Sequence, residues 1–157
     1  MGFAVFFFVA WLITALFFVT QKKLSITENT FVFMFILVIS INWTWIIYEG
    51  LKYIKITEQP MNYTAFLFFR SLIIPMLLVM QLNMIHKTKT FARSVLIAMV
   101  SIGILLLLTG LSLYFDLTKY VKWNIGYDIL YFSALHLIAY YSHQIFRKIT
   151  YREVSYS

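Results

Sequence analysis

The sequence holds no cysteine. That excludes disulfides, thiolate metal sites and cysteine nucleophiles. Charge is also scarce. Asp, Glu, Lys and Arg together make up 12% of the 157 residues, about half the share of an ordinary soluble domain. Zinc-protease His-Glu pairs, a phosphate-binding P-loop, a serine nucleophile elbow and a kinase motif set are all missing. No base and nucleophile stand at a readable spacing, so no catalytic residue is assigned. There is no internal repeat, which argues against a carrier built from inverted halves.

What is present is apolar. Hydrophobic residues make up 62% of the chain, and its mean hydropathy is +0.83. A water-soluble protein this short has too much surface for its volume to hide that much apolar material. A lipid solvent removes the problem. The net charge is +7, but the basic residues fall in short clusters between apolar runs. That is the pattern of cytoplasmic membrane loops. The expected partner is therefore the lipid bilayer, together with another membrane protein or a second copy of the chain, and not nucleic acid. High Ile, Phe, Lys and Tyr usage fits a low-GC bacterial source. A bacterial plasma membrane is then the expected address.

A crossing needs about 20 apolar residues at ~1.5 Å each. Five runs qualify: 2–20, 30–49, 63–83, 93–115 and 124–146. The first lacks a cleavage site and is too long for a signal-peptide core, so it is read as a retained span. Stretches such as Phe31–Ile41 and Val95–Leu108 are apolar all round, unlike the alternating strands of a membrane barrel. The expected fold is a single all-α, polytopic transmembrane bundle of about five spans. With the N-terminus outside, the cytoplasmic segments hold Lys22, Lys23, Lys87, Lys89, Arg93, Arg147, Lys148 and Arg152. The outer loops then hold only Lys52, Lys55, Lys119 and Lys122. This asymmetry predicts N-out and C-in. The loop Asp116–Trp123, which mixes lysines with aromatics, is expected to lie along the interface.

A charge inside a span costs about 2.5–3.5 kcal/mol even on the lenient scale, so it points to function. Arg70 lies ~10 Å below the outer edge of the third run. Asn42, Thr109, Asp128 and Tyr131 fall at similar depth on other spans. Asn42, Trp45 and Glu49 share one helix face by their spacing. The expectation is a polar pocket in the outer leaflet. Arg70 is its cation, Glu49 or Asp128 its counter-ion, and Asn42, Thr109 and Tyr131 complete its walls. Two other readings compete: a structural ion pair that neutralises Arg70, and snorkelling of Arg70 to the headgroups. Pro75 frees a backbone carbonyl nearby, expected around Ser71.

On the fifth span, His136, Tyr140 and His143 form a polar stripe. It suits a proton path, or haem or metal ligation. The two imidazoles stand ~10 Å apart, too far for one ion, and no third ligand has zinc-like spacing. Interhelical hydrogen bonding is the plainer reading. Gly103 and Gly110 offer a small-residue face for helix packing, inside the bundle or between copies, without a GxxxG motif. No cofactor is specified. Three functions remain: a non-enzymatic partner-binding or regulatory component, a small permease or channel component built on the Arg70 pocket, and an intramembrane enzyme acting on lipid.

Overall fold

The computed structural model describes residues 1–156. In chain order its elements are α1 (Gly2–Val19), α2 (Ile26–Gly50), β1 (Ile54–Ile56), α3 (Pro60–Lys87), α4 (Phe91–Tyr114), β2 (Thr118–Tyr120) and α5 (Ile125–Tyr156). The bulk is all-α, and each expected run falls on one helix. The boundaries move where local chemistry dictates. α2 begins before Thr30, because Ser25 and Glu28 make a capping box. Ser25 Oγ accepts the Glu28 N–H at 3.2 Å, and Glu28 Oε2 accepts the Ser25 N–H at 2.8 Å. This reciprocal pair satisfies two otherwise orphaned donors. α3 begins at Pro60, in the first turn, where a missing N–H costs nothing.

α3 is the central helix. Of its most apolar stretch 67% is buried, against 22–28% for α1, α2 and α4. All four other helices pack on it. α2 touches α5 and α5 touches α4, so these three form an arc around α3. Phe6, Ile36, Phe66, Ile73, Leu78, Leu105 and Leu135 are fully buried between them. The outward faces stay apolar: Trp11, Phe18, Leu96, Met99 and Leu107 are all exposed. Water does not tolerate such a surface. Among the described residues, four helices (α1 to α4) are long and apolar enough to cross a membrane. α5 is longer, but Asp128, His136 and His143 interrupt its apolar run.

The two connections at one end of the bundle join as a ribbon. β1 and β2 pair antiparallel, with Ile54 opposite Tyr120, Lys55 opposite Lys119 and Ile56 opposite Thr118. Each strand follows a residue in the left-handed region, Lys52 (φ 54°) and Asp116 (φ 56°), which breaks the preceding helix. The stretch Asp116–Trp123, expected along the interface, is part of this ribbon. It contributes a strand and turns Leu117 and Thr118 inward. The start of α1 sits beneath this turn. A Cβ on Gly2 would come within 2.9 Å of Leu117 Cδ1 and 3.0 Å of Phe115 Cβ, so a larger residue there would have to displace the Leu117 side chain.

Candidate functional site

The ribbon covers a layer of polar and aromatic side chains. Arg70, Thr109, Asp128 and Tyr131 come from α3, α4 and α5 and line one cavity, joined by Trp43, Tyr48 and Tyr120. Its volume is about 30 Å³, room for about two waters. Trp43 stacks on Tyr131 with ring centroids 4.5 Å apart, and Trp43 meets Trp123 edge-on at 5.9 Å.

Asn42 and Glu49 are not part of it. Both are exposed, and Asn42 Nδ2 donates to the Val38 carbonyl of its own helix at 2.8 Å. They share their face with Trp45, which is also exposed. The inward face of α2 runs instead through Asn29, Val32, Ile36, Ser40, Thr44 and Ile47. Packing against α3 and α5 selects that face, and Asn42 and Glu49 lie off it.

The expected ion pairs with Arg70 do not form. Among the described residues no carboxylate lies within ion-pair reach of its guanidinium. Its Nε is buried without a hydrogen-bond partner, and its guanidinium carbon stands 5.5 Å from the Phe66 ring centre. Asp128 is held elsewhere. Its carboxylate accepts from the Tyr120 hydroxyl and, at 3.0 Å, from Trp123 Nε1. Burial, together with the bond to Asp128, holds the Tyr120 phenol protonated well above the ordinary phenol range.

Pro75 acts one residue away from where it was expected to act. α3 widens into a π-turn over Phe69–Ile73, in which the Ile74 N–H reaches back five residues to the Phe69 carbonyl. In that register the next donor would be Pro75, which has none. The freed carbonyl is that of Arg70, not Ser71, and Ser40 Oγ donates to it from α2 at 3.3 Å. Thr109 returns its hydroxyl to the Leu105 carbonyl of α4 at 2.9 Å.

The stripe on α5 serves two separate places. His136 is buried, with Nδ1 2.6 Å from the Phe132 carbonyl and Nε2 2.9 Å from Ser101 Oγ on α4. A carbonyl only accepts, so Nδ1 carries the proton, and Nε2 of the neutral ring accepts from Ser101. Tyr140 packs against the core. His143 belongs to a second polar cluster at the end opposite the ribbon. Its Nε2 lies 3.3 Å from Glu28 Oε1, and its ring meets that of His86 at 4.8 Å. Arg147 Nε is 3.2 Å from the same carboxylate oxygen, close enough for an ion pair but not aligned for a hydrogen bond. Beside it, Asn83 Oδ1 accepts the Lys23 and Leu24 N–H groups at 3.0 and 3.1 Å, and its Nδ2 donates to Asn29 Oδ1 at 2.8 Å. Glu28, Asn29 and Asn83 are functional candidates that the sequence reading missed. The signal for Glu28 was the pattern Ser25-Ile26-Thr27-Glu28 ahead of an apolar run. Among the described residues no three His, Asp or Glu side chains gather as a metal-ligand set.

The class these observations define is a helical bundle with an apolar exterior, four helices fit to cross a membrane, and polar layers at both ends. Comparison with protein-family models, curated proteins and solved structures finds no match.

Proposed function

We propose that the chain is a small multi-pass integral component of a cell membrane, acting by binding a partner rather than by turning over a substrate. α5 serves as the fifth span. Its polar side chains Asp128, His136, Ser142 and His143 are buried, while Leu130, Leu137 and Ile145 face outward, so its lipid side is apolar. The Lys and Arg asymmetry favours N-out and C-in, and the composition favours a bacterial plasma membrane.

The observation that carries the reading is the closed polar layer under the ribbon. Asp128 is occupied by Tyr120 and Trp123, His136 by Ser101 and the Phe132 carbonyl. A cavity of about 30 Å³ admits water and little else. For a partner, α4 presents Gly103 and Gly110 on its outward side. A Cβ at either meets nothing within 4 Å, so both lie off the internal packing. Small residues on a lipid-facing side let a second helix approach closely.

The test is native mass spectrometry with an absorbance spectrum, on protein extracted in a mild detergent. A second polypeptide or a second copy that is lost in Gly103→Leu/Gly110→Leu supports the proposal. A bare single chain carrying a small molecule or haem sinks it. A second reading, a permease or channel component, draws on the unpartnered Arg70 Nε, a cation available to an anion once the ribbon lifts. Anion flux in liposomes that stops with Arg70→Ala would favour it. An intramembrane lipid enzyme has the least support, because Asp128 and His136 already have partners.

A further inference from the structure

α5 continues past Phe146, the expected end of its crossing, and its last turns border an open cleft of about 770 Å³. Arg147, Lys148 and Arg152 line the cleft, and His86 and His143 face it from the bundle. Among the described residues no carboxylate is in its wall. Glu28 lies behind His143, where Arg147 and the Ser25 N–H already answer its charge. His143 is only 1% exposed. Glu28 engages its Nε2, and its Nδ1 has no partner. A buried nitrogen left open in the wall of a cleft that carries Lys148 and Arg152 beyond the Arg147–Glu28 pair is a costly arrangement unless something binds there.

We propose that this cleft binds a phosphate group. Arg147 and Arg152 supply guanidinium forks whose geometry matches phosphate oxygens. Lys148 adds a point charge. An anion bound there favours the protonated ring of His143, which is steadied by Glu28 at Nε2 and can then donate from Nδ1 to a phosphate oxygen. Inorganic phosphate and the headgroup of an anionic phospholipid share this chemistry. The site does not depend on the partner-binding reading, since it uses neither α4 nor the ribbon.

The test uses the full chain in two arms. In one, detergent-solubilised protein is titrated with inorganic phosphate. In the other, native mass spectrometry follows lipid retention from an equal mixture of phosphatidic acid and phosphatidylcholine. The cleft variant is Lys148→Gln/Arg152→Gln, which leaves the Glu28 contacts alone. The control is Lys22→Gln/Lys23→Gln, which removes the same charge at the same end, where Lys22 rests 4.6 Å over the Phe17 ring. The wild type is expected to bind phosphate or to retain phosphatidic acid selectively, the cleft variant to weaken this about tenfold, and the control to change it by less than about twofold. Binding of phosphate that displaces the lipid assigns free phosphate. Selective lipid retention unaffected by phosphate assigns the headgroup. Failure to bind either probe, or equal loss in the control, overturns the proposal.

Discussion

Arg70 and Asp128 line one cavity yet do not pair, and that separates their roles. Asp128→Ala strips the acceptor from Tyr120 and Trp123 and is expected to cost about 1–3 kcal/mol. Arg70→Ala breaks no hydrogen bond or ion pair, so folded protein should survive it at unchanged or slightly higher thermal stability. Thermal unfolding in detergent checks both, and the opposite ranking would mean that Arg70 has a partner after all. Tyr120 adds a pH dependence. Its phenol ionises later in the fold than in the unfolded chain. The stability it contributes is therefore complete below the unfolded phenol range and lost as pH rises through the folded one. Tyr120→Phe should flatten the alkaline loss of stability relative to wild type, and an unchanged slope would contradict this. Counting depth from the span ends was enough to bring Arg70, Thr109, Asp128 and Tyr131 to one layer. It did not find their partners, because Tyr120 and Trp123 come from a loop whose path depends on a distant strand.

At the scale of elements, apolar run length located all five helices, but not which face of each turns inward. On α2 the residues that pack inward step mostly by four, from Val32 through Ile36 and Ser40 to Thr44. The conspicuous polar pair Asn42 and Glu49 lies off that line, on a face that ends in a π-turn over Trp45–Gly50. The ribbon was illegible for a different reason. Strands of three residues carry no alternation to read, and their pairing is non-local. Its register is directly testable, because the chain has no cysteine to confuse the result. Lys55 and Lys119 stand opposite each other, at a backbone spacing of ~5.5 Å in a hydrogen-bonded pair. That suits a disulfide. Lys55→Cys/Lys119→Cys should close under mild oxidation and shift on a non-reducing gel, whereas Lys55→Cys/Lys122→Cys should not.

At the scale of the whole molecule, composition pointed to the apolar exterior, which surrounds a core that is itself mostly apolar. The placement of the basic residues predicts an orientation that can be measured. In intact cells a membrane-impermeant maleimide should label Lys119→Cys at once and Arg152→Cys only after permeabilisation. The reverse pattern would invert the topology. The ribbon also imposes an order in time. β1 is synthesised before α3 and α4, and its partner strand only after both. Until β2 is made, the edge of β1 is unpaired and the layer around Arg70 lies uncovered. The ribbon thus waits on the connection between α4 and α5, and the cavity beneath it on α5 itself. A chain cut short before Thr118 would keep α1 to α4 but leave the ribbon end of the bundle unsealed.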